Sequence, residues 1–275
     1  MRRVILILAD GLRPDAISPG LTPWLDALSR EYCLAPDAVT VRPSTTFAAL
    51  ASLVTGVAPT THGFTSPGLG LVGRLQPMRT VARELSRHGV STRVVTGETE
   101  LPQRAMVTAL GAAVGIPRIT CVGSTAREVA SAACREADSR RAGVTFVYLN
   151  DCDVAGHRDG WMSRSYLAAA AEVDDAVGAL TILAGDSLVI VLADHGGGGV
   201  SADDHHEPHP TNDRIPLILA GPSVARRRRL DGPVSLLDVP PTLLHWLRVP
   251  VPASYQGRVL ADAFDPPARA AVIAA

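Results

Sequence analysis

Five short apolar runs set the pattern of this chain. They are residues 4–9 (VILILA), 91–97 (STRVVTG), 144–149 (VTFVYL), 187–193 (SLVIVLA) and 215–220 (IPLILA). Glycine, proline or charged residues bound each run, and none of the runs alternates strictly between apolar and polar positions. Strands of a parallel sheet that is covered on both faces show this pattern. The runs therefore predict buried strands of a mostly parallel sheet.

Segments with helical spacing lie between these runs. They cover residues 22–31, 47–55, 80–88, 126–135 and 165–183. The alternation of strands and helices indicates a layered α/β sheet. Glycine and proline are frequent from Pro59 to Pro77, which predicts a long loop or a small excursion there. No repeat or low-complexity linker divides the pattern, so we expect residues 1–275 to form a single domain.

Acidic residues and histidine follow three of the predicted strands. Asp10 ends the first run, Asp151 and Asp153 follow the third, and Asp194 and His195 end the fourth. In open α/β sheets, functional groups gather at the carboxyl ends of the strands. We therefore expect these side chains to meet at one edge of the sheet.

Further histidines extend this set toward a metal site. His157 follows Asp153 in a D-x-x-x-H pattern, and the segment DDHHEPHP contains His205, His206 and His209. Carboxylate and neutral imidazole groups are ligands that Zn²⁺ and Mn²⁺ accept. A site with more than four such groups can hold two cations about 4 Å apart. The sequence therefore predicts two divalent metal ions, of which Zn²⁺ is the first choice and Mn²⁺ the second.

A hydroxyl group at the start of a helix is the candidate nucleophile. The segment RPSTTFAALASLVTG predicts an extended lead followed by a helix that begins near Thr45 or Thr46. A hydroxyl there lies at the positive end of the helix dipole, among free backbone N–H groups that favour a phosphate. A plain N-cap at Ser44 or Thr45 is the alternative. Beside the candidate metal ligands, an activated hydroxyl is the better interpretation.

Composition excludes several classes of partner. The formal charge of −1 gives no general attraction to nucleic acid or to an anionic membrane. The four cysteines are scattered without a CxxC pair, which favours a reducing compartment. The apolar run at 4–9 is too short for a signal peptide, and no stretch reaches the ~20 apolar residues of a membrane helix. We expect a cytoplasmic protein that acts on a small phosphorylated substrate and has no nucleic-acid or membrane partner.

Seven motifs that cover nearly the whole chain occur in a characteristic order. They are ILADGLRPD, TTFAALASLVTG, P-x-x-H-G at residues 59–63, DVAGHRDG, LADHGG, IPLILAGP and SLLDVPPTLLHWL. In this order they resemble the type I phosphodiesterase and nucleotide pyrophosphatase family of the alkaline phosphatase superfamily. The resemblance implies an alkaline phosphatase-like three-layer sandwich with a mostly parallel central sheet.

The resemblance also implies roles for the candidate residues. One zinc-like ion would be held by Asp10, Thr46, Asp194 and His195, and the other by Asp153, His157 and a later histidine. The spacing back from Ile215 favours His205 as that histidine, with His209 as the alternative. Thr46 matches the nucleophile of the family. The implied activity is metal-dependent hydrolysis of a phosphodiester, a phosphonate or a small phosphomonoester through a covalent phospho-threonine.

The chain departs from its relatives at specific positions. Nucleotide pyrophosphatases carry an asparagine that holds the phosphoryl oxygens, and Ala49 stands at that position here. Arg13 and Arg42 are candidate replacements as anion contacts. The segment TTFAAL lacks the proline and arginine of the sulfatase motif, and the chain has no room for the domain inserted in cofactor-independent phosphoglycerate mutases. A non-catalytic metal-binding relative and a phosphoryl transferase or mutase remain as alternatives.

Overall fold

The computed structural model describes residues 2–66, 71–75, 77–98, 101–137 and 143–266. The strands in these residues are β1 (Arg3–Ala9), β2 (Cys33–Leu34), β3 (Ala38–Val39), β4 (Ser91–Thr96), β5 (Ile119–Cys121), β6 (Gly143–Leu149), β7 (Leu188–Leu192), β8 (Leu217–Ala220), β9 (Arg228–Arg229) and β10 (Val234–Ser235). Eight of them form one sheet in the order β5-β4-β6-β1-β7-β8-β2-β9, and β3 pairs with β10. The predicted central sheet is therefore confirmed.

Parallel pairing places the carboxyl ends of the central strands at the same level. β1 lies between β6 and β7 and is parallel to both. Leu8 pairs with Tyr148 on one side and with Leu192 on the other. Continued by two residues, this register brings Asp10 level with Asp194. The sheet thus gathers the acidic residues at one edge before any side-chain contact is considered.

The sequence pattern predicted that the fifth strand runs parallel to its neighbours, and this predicted direction is wrong. β8 runs antiparallel to both β7 and β2. Residues 193–214 leave the carboxyl end of β7 and contain only the four-residue helix Pro210–Asp213, so the chain re-enters the sheet from the same edge. An antiparallel neighbour needs no crossover helix. The apolar pattern of β8 reflects burial alone, because every residue of this strand is buried.

Helices cover the sheet on both faces. They are α1 (Pro23–Glu31), α2 (Thr46–Thr55), α3 (Pro59–His62), α4 (Leu71–Leu75), α5 (Val81–Arg87), α6 (Leu101–Val114), α7 (Ala126–Ala137), α8 (Asp151–Asp159), α9 (Arg164–Leu183), α10 (Pro210–Asp213) and α11 (Val239–Trp246), with 3₁₀ turns at Pro14–Ala16, Leu236–Asp238 and Ala261–Ala263. The five predicted helices are confirmed. α9 contacts α1, α7 and α8, whereas α2, α5 and α11 contact one another. These two groups form the outer layers of the three-layer sandwich.

Of the two alternatives for residues 59–77, the described residues form a small excursion rather than a long loop. Helices α3 and α4 both lie in this stretch, while residues 67–70 and 76 lie outside the described part of the chain. Proline begins α3 at a position where its missing N–H costs nothing, which explains why a proline-rich segment still forms helix. None of the helices in the described ranges is both long and apolar enough to cross a membrane.

Helix α2, which begins at Thr46, ends at a left-handed glycine. Gly56 has φ of 70°, and its N–H donates to the carbonyl of Ser52. A Cβ atom at Gly56 would lie 2.5 Å from the ring of Tyr255. Both the backbone conformation and this close approach therefore require glycine.

We predict that Gly56→Ala destabilises the fold more than Gly89→Ala does. Gly89 follows α5 with φ of 72° and has no atom within 4 Å of an added Cβ, so it isolates the backbone strain. We expect Gly89→Ala to lower the free energy of unfolding by about 1 kcal/mol and Gly56→Ala by at least about 2 kcal/mol. Urea unfolding measures both values. Equal losses would show that the Tyr255 contact relaxes freely.

Candidate metal centre

Three carboxylates converge where β1, β7 and α8 meet. Asp10 follows β1, and its backbone carbonyl accepts a hydrogen bond from the N–H of Asp153 at 3.1 Å. The next residue, Gly11, donates its N–H to Oδ1 of Asp194 at 3.3 Å. Gly11 has φ of 69°, and a Cβ there would lie 3.0 Å from Cα of Asp153. The glycine therefore lets the start of α8 approach the end of β1.

The imidazole of His195 lies at the centre of these carboxylates. Its Nε2 is 3.2 Å from Oδ1 of Asp10, 3.5 Å from Oδ2 of Asp194 and 3.9 Å from Oδ1 of Asp153. The same nitrogen lies 3.1 Å from Oγ1 of Thr46. His195, Asp10 and Asp194 are buried. The first predicted ligand set is thus together in space.

The second predicted set surrounds Oδ1 of Asp153. Nε2 of His157 lies 3.4 Å from this oxygen, and Nε2 of His205 lies 3.9 Å from it. The rings of His195 and His205 stack with their centroids 3.7 Å apart. The ligand atoms of Asp153, His195 and His205 all lie within 4.8 Å of one another. His195 therefore belongs to both compact groups, whereas His157 stands at the outer side of Asp153.

All three histidines are oriented by backbone carbonyls. Nδ1 of His195 donates to the carbonyl of Gly196 at 2.8 Å, and Nδ1 of His157 donates to that of Asp203 at 2.8 Å. Nδ1 of His205 donates to the carbonyl of Ser44 at 2.7 Å. A carbonyl only accepts, so the proton is on Nδ1 and each Nε2 faces the carboxylates. Metal-ligating histidines are held by such bonds.

Three carboxylate oxygens without hydrogen-bond donors indicate whether a cation fits this site. Oδ1 of Asp10, Oδ1 of Asp153 and Oδ2 of Asp194 are buried and accept no hydrogen bond within the described residues. Buried carboxylate oxygens without donors are costly. Each of these oxygens faces the Nε2 atoms instead. The oxygen and nitrogen donors that converge here fit a divalent cation such as Zn²⁺ or Mn²⁺.

The electrostatics of the cluster favour positive charge. Burial by itself would lower the pKa of His195, but the Asp194 and Asp10 carboxylates raise it to about 10. Burial, reinforced by the negative charge of Asp10, raises the pKa of Asp153 to about 6 and holds that of Asp194 well above its usual value. The pKa of His205 falls to about 4 because of burial and the neighbouring His195. A proton on His195 is the charge that a metal ion would replace.

The hydroxyl of Thr46 points into this cluster from the first turn of α2. Thr45 is the N-cap residue with an extended backbone, and its side chain makes no capping hydrogen bond. The side chain of Ser44 donates to the carbonyl of His205 at 2.9 Å and so does not cap the helix. The threonine beside the cluster is therefore Thr46, which lies 3.1 Å from His195.

Several other candidates lie in different settings. His209 accepts a hydrogen bond from the N–H of Thr211 and caps α10, while His206 pairs with Asp204 at the surface. Of the two candidates left open by spacing, His205 is the one that lies beside Asp153. Asp151 accepts from the N–H of Ala126 at the start of α7 rather than bonding to a metal-site residue.

The two arginines proposed as anion contacts already have partners. The guanidinium of Arg13 donates to Asp15 at 2.8 Å and to the carbonyl of Gly197 at 3.1 Å. The guanidinium of Arg42 forms an ion pair with Asp213. Each therefore stabilises a loop of the site, and phosphate binding would have to compete with a carboxylate.

Two aromatic residues that sequence reasoning left out complete the site. The hydroxyl of Tyr148 on β6 donates to Oδ2 of Asp10. The indole N–H of Trp161 donates to the carbonyl of Gly11 at 2.9 Å, and its ring contacts the rings of His157 and His205. The signal for Tyr148 was its register, since it is the next-to-last residue of a strand that pairs with β1. Trp161 carried no such signal.

Comparison with known proteins places the chain in a family. The family model of type I phosphodiesterase / nucleotide pyrophosphatase matches residues 4–69 and 81–233. The chain belongs to this family. Its relatives in the alkaline phosphatase superfamily are metal-dependent phosphoryl or sulfuryl hydrolases or transferases.

Solved structures support the fold. A protein of the alkaline phosphatase superfamily from Vibrio parahaemolyticus is 20% identical with a TM-score of 0.74, and the match covers 97% of this chain and 70% of that one. The phosphonate monoester hydrolase from Silicibacter pomeroyi is 16% identical with a TM-score of 0.71, covering 94% and 76%. The lipoteichoic acid synthase from Listeria monocytogenes is 16% identical with a TM-score of 0.69, covering 93% and 73%.

One group of curated relatives shares part of the chain. A 2,3-bisphosphoglycerate-independent phosphoglycerate mutase from Cereibacter sphaeroides is 35% identical over 133 residues. The match covers 44% of this chain and 24% of the mutase, so it spans about a quarter of that protein.

We predict that Zn²⁺ binding at pH 7 releases at least one proton. His195, with a pKa of about 10, is protonated at pH 7 and must lose its Nε2 proton to coordinate a metal. Affinity should also fall as the pH drops through about 6, where Asp153 becomes protonated. Calorimetric titration in two buffers of different ionisation enthalpy measures the protons released. Binding without proton release would mean either that Nε2 of His195 carries no proton before the metal binds or that His195 is not a ligand.

We predict that Tyr148→Phe weakens metal binding by about 10- to 100-fold, because the hydroxyl that orients Asp10 is lost. Tyr255→Phe is the matched control, since that buried hydroxyl has no hydrogen bond within the described residues. Competition against a chelating indicator gives both affinities. Equal affinities of the two variants would contradict an orienting role.

Proposed function

We propose that this protein is a two-metal hydrolase that cleaves a phosphodiester, a phosphonate or a small phosphomonoester, with Thr46 as nucleophile. The observation that carries the proposal is the position of the Thr46 hydroxyl, at the first residue of α2 and 3.1 Å from Nε2 of His195. The nearby carboxylates have buried oxygens that need a cation. A helix start and a cation site together favour phosphate binding over a structural cap.

The ligand sets would divide between the two sides of His195. Asp10, Asp194, His195 and Thr46 would hold one cation, and Asp153, His157 and His205 the other. When bound, the two cations supply positive charge that lowers the pKa of the nucleophile and neutralises the phosphoryl oxygens. The carbonyl bonds of the three histidines keep each Nε2 directed at the reaction centre.

The reaction would proceed in two displacements at phosphorus. Oγ1 of Thr46 loses its proton and attacks phosphorus in line, which forms a covalent phospho-threonine and releases the alcohol leaving group. Water then attacks the same phosphorus and breaks the bond to Oγ1, which restores the threonine. The N–H groups of the first turn of α2 face the phosphoryl oxygens in both steps.

The first turn of α2 also bears on the class of substrate. Ala49 is buried and offers no side-chain donor to a phosphoryl oxygen. The fold neighbours include a protein described as a phosphonate monoester hydrolase. A substrate whose phosphorus carries two non-bridging oxygens rather than three suits this site, which favours a phosphonate monoester or a phosphodiester over a phosphomonoester.

We predict that Thr46→Ala abolishes metal-dependent turnover, with kcat lowered by at least about a thousandfold. Thr45→Ala is the matched control, because Thr45 precedes Thr46 and its buried hydroxyl makes no hydrogen bond to any part of the chain that the structure describes. The assay compares p-nitrophenyl phosphate, bis-p-nitrophenyl phosphate and a p-nitrophenyl phosphonate ester, with the protein loaded with Zn²⁺ or Mn²⁺. Turnover that survives in Thr46→Ala would exclude the threonine mechanism. A wild-type protein that binds two metals but turns over none of the esters would favour the non-catalytic alternative.

A phosphoryl transferase is the second candidate. The observation that favours it is the 35% identity to a phosphoglycerate mutase over 133 residues. Transfer uses the same nucleophile and differs only in the acceptor of the second displacement. Adding an alcohol such as glycerol to the assay separates the two, because a transferase forms the new phosphoester faster than it forms free phosphate.

A further inference from the structure

A large apolar cavity lies between the sheet and one helical layer. Its volume is about 310 Å³, and residues of α2, α5, α6 and α11 line it together with β1, β4 and β6. Among the described lining residues, Thr92 is the only one with a polar side chain. Protein cores are normally packed without voids of this size. An apolar cavity of about 150 Å³ already binds benzene, so this one could accept a considerably larger apolar group.

One strand that lines the cavity continues toward the metal centre. Phe146 on β6 lines the cavity, and Tyr148 lies two residues further along on the same face of the strand. The hydroxyl of Tyr148 donates to Asp10. Two residues of strand span about 7 Å. Both aromatic side chains are partly exposed although β6 is an interior strand of the sheet.

The residue that follows the proposed nucleophile also lines the cavity. Phe47 lines the cavity and is the residue after Thr46 on α2. On the opposite side, Met106, Val107 and Leu110 of α6 turn toward the cavity and remain partly exposed. Side chains of the described residues therefore surround this space. Two of them, Phe47 and Phe146, are close in sequence to Thr46 and to Tyr148, which bonds to Asp10.

We propose that the cavity binds the apolar alkyl or aryl group of the substrate while its phosphoryl group lies at Thr46. This inference rests on the proposed function of the Thr46 site and narrows its substrate class to amphiphilic phosphoesters or phosphonates. The uncharged lining excludes a nucleotide base with its polar edges from this space, because its hydrogen-bonding groups would be left unpartnered. An apolar chain gains free energy with each methylene that leaves water.

The test is a binding titration with methyl-, butyl- and octylphosphonic acid, which the enzyme cannot cleave. We expect affinity for the metal-loaded protein to rise about threefold for each added methylene until the cavity is full. Val107→Phe and Leu110→Trp place extra volume in the cavity and should remove this dependence on chain length. Ala109→Leu, on the exposed side of α6, is the control and should keep it. Thermal melting verifies that each variant is folded.

The outcomes separate this inference from the proposed function. Affinity that does not change with chain length would overturn the cavity proposal, even if phosphoesters are hydrolysed at Thr46. The same holds if the filling variants raise the melting temperature and leave the binding of octylphosphonic acid unaltered, because the cavity is then a packing void. Chain-dependent binding that the filling variants abolish supports the cavity proposal, whether or not any ester is turned over.

Discussion

The site depends on a concentration of buried negative charge around one imidazole. Asp10, Asp153 and Asp194 direct unpartnered oxygens at Nε2 of His195, in a region from which water is largely excluded. Such an arrangement is unfavourable unless positive charge occupies it. The raised pKa of His195 reflects this requirement for positive charge. The proposed metal binding and the proposed reactivity of Thr46 would therefore share one electrostatic origin with part of the stability of the fold.

The sheet makes this concentration of charge possible. β1, β6 and β7 are parallel and end at the same level, so the residues that follow them meet without long side chains or special loops. The antiparallel return through β8 keeps residues 193–214 at this same edge, which is why His205 reaches Asp153. The antiparallel direction of β8 thus keeps the candidate ligand His205 at the site. A crossover connection would have placed this segment away from that edge of the sheet.

Much of this arrangement could be predicted from the sequence. Apolar runs that end in Asp10 or in Asp194 and His195 mark buried strands with functional carboxyl ends, and the structure brings these residues together. The direction of β8 could not be predicted, because burial on both faces erases the alternation that distinguishes antiparallel strands. Helix α6 was not expected either, since its sequence from Leu101 to Val114 lacks a clear amphipathic pattern.

The choice among the histidines shows where sequence reasoning ends. Spacing favoured His205 over His209, but only the backbone explains the difference, since His205 bonds to the carbonyl of Ser44 while His209 caps α10. Tyr148 and Trp161 were not among the predicted site residues, because an aromatic side chain in a strand or loop gives no sign of which polar group its hydroxyl or N–H will reach. Local patterns identify the ligands, and tertiary contacts identify what orients them.

The carbonyl tethers of the histidines have an evolutionary consequence. Each tether uses a peptide oxygen of Gly196, Ser44 or Asp203, and every amino acid provides the same oxygen. At Asp203 the tether therefore sets no requirement on the side chain. Gly196 must remain glycine, because an added Cβ would lie 1.9 Å from the carbonyl oxygen of Thr211, and the hydroxyl of Ser44 donates to the carbonyl of His205. The orientation of the imidazoles therefore depends on the path of three main-chain loops, and at Gly196 that path also fixes the residue type.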